Sequence, residues 1–143
     1  MPHPELEQIK GMLLRTAQKA LSAMGSYYPF GITLSTQGKF AAEQGPEGKE
    51  KMGSLELNQY ITELFHQQAA SGQLRAAGIC AISTMSVIPP GQTEKTQAIY
   101  LDLEHQSGQS EFLFVPYKKG VFGKVKYGEP YYFEGIPKIF RPN

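Results

Sequence analysis

The sequence predicts an α+β fold in which an antiparallel sheet of about five strands carries two main helices, in the order helix, hairpin, helix, three strands. Three observations lead there. Leu6, Ile9, Leu13, Ala17, Ala20 and Met24 keep one helical face apolar, and Leu57, Tyr60, Ile61, Leu64 and Phe65 repeat that pattern later in the chain. Between and after them lie segments that alternate with the two-residue period of a strand. The strands that follow one another directly are joined by short turns containing glycine, which suits antiparallel neighbours, whereas parallel neighbours need a long crossover. With 143 residues, 41% hydrophobic and 19% charged, residues 1–143 have the size and composition of a single globular domain with one core.

The first helix is expected from Pro4 to Met24. Pro4 suits its first turn, Glu5 and Glu7 favour the positive end of the dipole, Lys19 lies towards the negative end, and Gly25 supplies a stop. After Tyr27-Tyr28-Pro29, Phe30, Ile32 and Leu34 alternate with Gly31, Thr33 and Ser35 as a half-buried strand. Pro29 keeps the entering chain extended, and Gly31 allows a ring or a neighbouring backbone to approach. A turn at Thr36-Gln37-Gly38-Lys39 leads to a second strand from Phe40 to Glu43. Residues 45–53 have no apolar period and read as a mobile surface loop, after which Ser54 is placed to cap the second helix and Gly72 to end it.

Leu74 to Met85 carries apolar residues of both parities, the mark of a central strand covered on both faces. Thr96 to His105 sets Ile99, Leu101 and Leu103 against Tyr100, Asp102 and Glu104, a strand with one polar face. Gln106-Ser107-Gly108-Gln109 is a hairpin turn, and Glu111 to Tyr117 forms the fifth strand, with Pro116 expected to end its ladder. Residues 117–143 differ in composition. They hold six Lys or Arg against two Glu and seven of the chain's 16 Tyr and Phe residues, too apolar for a disordered tail. This basic, aromatic segment is expected to pack back on the sheet, with short extra strands around Val125 and from Tyr131 to Phe133.

The formal charge of +1 gives no global attraction to nucleic acid or anionic lipid. Lys119 to Tyr127 approximates an RNA-recognition signature, but Val121 is one residue too many and Lys124 stands where a stacking aromatic belongs, so nucleic acid is not an expected partner. No apolar run approaches the roughly 20 residues of a membrane span, and the first 25 residues lack a signal-peptide core, so no membrane association is expected. Cys80 is alone and reads as an inert core residue suited to a reducing cytoplasm. No phosphate loop, zinc pattern or cofactor motif occurs, so neither metal nor cofactor is expected. His66 falls opposite the apolar stripe of the second helix and reads as solvated.

Asp102 and Glu104, at i and i+2, could serve as acid and base or hold a hard cation, but two ligands do not make a site, and the plain reading is the solvated face of a sheet. Glu104 and His105 are the nearest approach to a catalytic dyad, yet adjacent strand residues point to opposite faces. No catalytic residue is therefore assigned. The candidate ligand or partner surface is Tyr100, Asp102, Glu104, His105 and Tyr117.

Two resemblances add to these readings. The order of elements resembles profilin-like and roadblock-like domains, which implies helices lying against a five-stranded antiparallel sheet. Tyr28-Pro29-Phe30-Gly31, Leu103-Glu104-His105 with Gly108, Pro116-Tyr117 and Tyr127-Gly128-Glu129, in that order and spacing, resemble a family of small bacterial cytoplasmic proteins. That resemblance implies a bacterial cytoplasmic setting and no particular activity. The expected function is a non-catalytic protein-interaction or regulatory module, with a small-molecule-binding sensor and a hydrolytic enzyme as alternatives. If both helices share one sheet face, the face bearing Tyr100, Asp102 and Glu104 must be covered by a second copy in a homodimer or by Phe122, Val125, Tyr131 and Phe133 folding over it.

Overall fold

The computed structural model describes residues 3–83, 88–120 and 124–141. Helix α1 spans Pro4–Met24; His3 caps it by accepting the Glu5 N–H, and Gly25 closes it in the left-handed conformation at φ 77°. Its buried stripe is Leu6, Ile9, Leu13, Ala17 and Leu21. Met24 is 73% exposed, because the last turn rotates past the sheet and offers Leu21 instead. Helix α2, Ser54–Ala70, buries Leu57, Ile61, Phe65 and His66. Gly53 rather than Ser54 stands at its N-cap, with no side-chain hydrogen bond, and Tyr60 stays exposed. The loop before it contains a short 3-10 turn, Lys49–Lys51.

Seven strands form the sheet, two more than the alternation pattern counted: β1 Phe30–Ser35, β2 Phe40–Glu43, β3 Leu74–Ile82, β4 Gln97–His105, β5 Ser110–Lys119, β6 Val125–Tyr127 and β7 Tyr131–Glu134. All pairings are antiparallel, in the order β2-β1-β3-β4-β5, with both β6 and β7 hydrogen-bonded to β5. The expected end of the third strand at Met85 lies outside the described residues.

Pro116 does not end the fifth strand. It pairs with Ala98 inside β5, and its carbonyl accepts the Gly128 N–H at 2.8 Å. Its missing donor thus faces Gly128 rather than β4, an outward position where a strand tolerates proline.

The helices lie on opposite faces of the sheet, not on one. Beneath α1, Ile32, Leu34, Ala76, Cys80, Ile99, Leu101, Leu103, Leu113 and Val115 make the larger core. Beneath α2, Ala77 and Ile79 of β3 meet Leu57, Ile61 and Phe65, together with Ile139 from the C-terminal segment. Two glycines let the helices come this close. A Cβ on Gly78 would lie 2.8 Å from side-chain atoms of Ile9, Leu13 and Leu103, and one on Gly31 would lie 2.5 Å from the Phe65 ring and 3.0 Å from the Gly78 carbonyl. Gly31→Ala is therefore expected to destabilise the fold by about 1–3 kcal/mol through overpacking. Urea denaturation checks this, and pairing the change with Phe65→Leu should recover part of the loss; a loss below about 0.5 kcal/mol would show that the ring moves freely.

Val125–Tyr127 and Tyr131–Glu134 extend the sheet at its edge. β6 and β7 are two halves of one edge strand, offset from each other by one residue: Tyr117 pairs with Tyr127, whereas Phe114 pairs with Tyr131. The extra residue sits in Gly128-Glu129-Pro130, a bulge that also accommodates a proline. It reverses the parity of the edge. Val125 and Tyr127 face α1, while beyond the bulge Tyr131 and Phe133 take the other face. Among the described residues, no helix is long and apolar enough to cross a membrane.

Candidate functional site

Strand alternation places Tyr100, Asp102 and Glu104 on the α2 face, as the sequence implies, but that face is not solvated there. Asp102 is 3% exposed and Glu104 1%. The cover comes from residues 138–140, which leave β7 and cross the strand ends. The Lys138, Ile139 and Phe140 amides all donate to Glu104 Oε1, at 3.0, 2.9 and 3.2 Å. Lys138 Nζ stands 3.6 Å from Asp102 Oδ2 and 5.1 Å from the centroid of the Phe112 ring.

Burial, reinforced by the neighbouring Glu104 charge and opposed by Lys138, pushes the Asp102 carboxyl up to about 7. Burial also raises the Tyr100 hydroxyl, with Asp102 and Glu104 adding to it. Among the described residues, Asp102 Oδ1 and Glu104 Oε2 are buried without a hydrogen-bond partner.

Helix α2 holds the same segment from its other side. His66 is not solvated. It donates from Nδ1 to the Ile139 carbonyl at 3.0 Å and is buried, and Glu63 accepts from Arg141 at 3.1 Å. A helical wheel assigns only the side that meets the sheet; here a third layer covers the adjacent side.

Next to this strap, five rings tile the α2 face. Tyr100 meets Phe112 and Phe114 at 5.7 and 5.2 Å between centroids, and Phe114 stacks on Tyr131 at 5.3 Å and meets Phe133 edge-on at 5.9 Å. Phe133 is 53% exposed. Of the residues expected to fold over this face, Tyr131 and Phe133 lie on it as part of the sheet itself, Val125 is on the opposite face, and Phe122 lies outside the described residues.

His105 points to the α1 face, away from Glu104, so the Glu104–His105 dyad does not form. Its partner is Glu5, a hundred residues earlier, with His105 Nε2 2.8 Å from Glu5 Oε1. Arg75 holds the other oxygen of Glu5 at 2.7 Å. The His105 hydrogen bond, with Arg75 behind it, lowers Glu5 below the usual carboxylate range against the effect of burial. The His3 ring stacks on His105 at 3.6 Å.

His3, Glu5 and His105 offer donor atoms within 4.8 Å of one another, a spacing that suits a metal ion. The hydrogen bonds argue otherwise. Nδ1 of His3 accepts the Glu5 N–H, and Nδ1 of His105 accepts the Ser107 N–H, so each neutral ring keeps its proton on Nε2. A metal at Nε2 would move that proton to Nδ1, against an amide hydrogen, where metal-binding histidines instead face an acceptor.

Ser107 Oγ lies 3.0 Å from His105 Nδ1, which gives the sequence serine, histidine, glutamate of a hydrolytic triad. The backbone amide already uses the Nδ1 lone pair that would have to take the serine proton. The cluster is a lock that ties the start of α1 to the β4–β5 turn.

Tyr117 is buried on the α1 face, and its carbonyl accepts from Thr96 Oγ1 at 2.8 Å. It also borders a groove of about 440 Å³ walled by Pro89, Pro90, Pro116, Pro130 and Tyr131, with Lys118 and Lys126 side by side. The five sequence candidates therefore do not form one site. Tyr100, Asp102 and Glu104 stand together, whereas His105 and Tyr117 belong to the other face. Cys80 lies fully buried 3.4 Å from the Tyr27 hydroxyl, and burial pushes its thiol up to about 12. No family model, curated protein or solved structure matches the chain.

Proposed function

We propose that this chain is a non-catalytic bacterial protein-interaction module, built on an element order that resembles profilin-like domains, and that its first partner is a second copy of itself. The observation that carries the reading is the outer edge of β7. In the β5–β7 ladder, Gly135 donates to Ser110, so residues 131 and 133 bond inward and the Tyr132 and Glu134 amides point away from the sheet. Among the described residues no strand pairs with that edge. It is flanked by Tyr131 and Phe133 on one face and Tyr132 on the other, so a twofold pairing of β7 with its copy would satisfy the amides and bury aromatic surface in one contact. A reducing cytoplasm is part of this reading, since the single cysteine is a buried core residue.

A second reading, a small-molecule-binding domain, is favoured by the proline- and tyrosine-walled groove with its two lysines. Native mass spectrometry of gently purified protein separates the two. Self-pairing gives the mass of two chains at micromolar concentration, and Phe133→Glu and Tyr132→Pro each weaken the dimer at least ten-fold without changing the circular dichroism spectrum. A monomer at every micromolar concentration overturns the self-pairing, and a monomer carrying a small added mass moves the function to the groove.

A further inference from the structure

The C-terminal strap is seated as a ligand is seated in a receptor. Glu104 presents one carboxylate oxygen to three successive amides, Asp102 and the Phe112 ring hold the Lys138 ammonium, and a pocket between α2 and β3 takes the Ile139 side chain, which is fully buried. None of these contacts depends on the strap's covalent connection to β7. The strap also fills the receptor incompletely, since Asp102 Oδ1 and Glu104 Oε2 remain buried without hydrogen-bond partners among the described residues. A buried carboxylate oxygen left unpaired is costly, so a segment with further donors could compete for this place.

We propose that the Asp102–Glu104 face of β4 is a peptide receptor, occupied in cis by residues 138–140 and able to take in trans a partner's segment of the same chemistry, bent as residues 138–140 are so that successive amides converge on one oxygen. That segment has a basic residue, then a branched apolar residue, and three successive amides free to donate. The three-amide requirement excludes proline at those positions, the pocket beneath α2 selects the apolar side chain, and the acidic pair with the Phe112 ring selects the cation. The cis strap is then an autoinhibitory plug that a partner must displace. The receptor lies beside the β7 edge and does not rest on the self-pairing proposed there.

The probe is a fluorescein-labelled hexapeptide with the sequence of residues 136–141, titrated against the full chain by anisotropy. Ile139→Asp unseats the cis strap and leaves the receptor intact, so this variant is expected to bind the peptide at least ten-fold more tightly than the unaltered chain does. Adding Glu104→Gln to the variant is expected to reverse most of that gain. Lys138→Glu repels the strap from Asp102 without touching the core, and supplies the same comparison if Ile139→Asp does not fold. Equal or absent peptide binding by the folded variants overturns the proposal. So does light scattering that finds the unaltered chain as a dimer dissolved by excess peptide, which would assign the receptor to strap exchange between two copies.

Discussion

Glu104→Ala is expected to cost about 3–5 kcal/mol, since it strips the acceptor from three amides and a buried amide left unpaired costs about 1–3 kcal/mol. Glu104 is 1% exposed, and one oxygen of its side chain accepts all three amides of residues 138–140. Alanine would leave those donors facing a void, and the Ile139 side chain and the His66 hydrogen bond to its carbonyl depend on the same seat. For a domain of this length the loss corresponds to a fall in Tm of about 10–17 °C. Glu104→Gln keeps an acceptor in place and should cost about half as much. Urea denaturation gives the energies, and hydrogen exchange locates the damage, with protection lost first at residues 138–140. A change under about 1 kcal/mol would mean that water replaces the carboxylate at no cost.

Asp102→Asn is expected to act in the opposite direction, and only at high pH. Burial raises this carboxyl from 3.8 to about 7, so between those values the folded chain holds a proton that the unfolded chain has released. Unfolding therefore releases a proton in this window, and stability falls as pH rises through it. The full contribution is present below about pH 4 and lost above about pH 7, amounting to about 4 kcal/mol. Asparagine has nearly the same shape and does not ionise. The variant should be about 2–4 kcal/mol more stable than the unaltered chain at pH 8, with the gap narrowing to zero as the pH falls below 4. The difference between the two pH profiles isolates Asp102 from Glu5, whose lowered pKa gives a dependence of opposite sign. A gap that does not change with pH would place the Asp102 ionisation in the ordinary carboxylate range.

Local periodicity carried the fold a long way. Helix α1 has the expected bounds, and the paired strands and their glycine turns follow from alternation and from residues such as Gly38 and Gly108, both at positive φ. Gly31 meets a ring, the Phe65 side chain, as its place in a strand suggested. What alternation does not report is the second side of an element. His66 and Glu104 look solvated in a wheel or a strand pattern because each is judged against one neighbouring layer, and the layer that buries both is an irregular segment with no period of its own. The His105–Glu5 contact spans a hundred residues, so no local pattern could suggest it. The placement of the helices on opposite faces was legible in retrospect from β3, whose apolar residues of both parities require a cover on each side.

The bulge at Gly128-Glu129-Pro130 makes the length of this strand part of its meaning. In most connecting segments the gain or loss of one residue changes only how far a loop reaches, and sequences drift there freely. In this edge strand a one-residue deletion that removed the bulge would invert everything after it: Tyr131 and Phe133 would turn towards the α1 layer, and Tyr132 and Glu134 would replace them among the rings of Tyr100 and Phe114. The strap would then leave β7 from the wrong side to reach Glu104. A family that keeps this architecture can vary the identities of residues 128–130 more readily than their number, so an alignment gap within these three positions would mark a protein with a different surface.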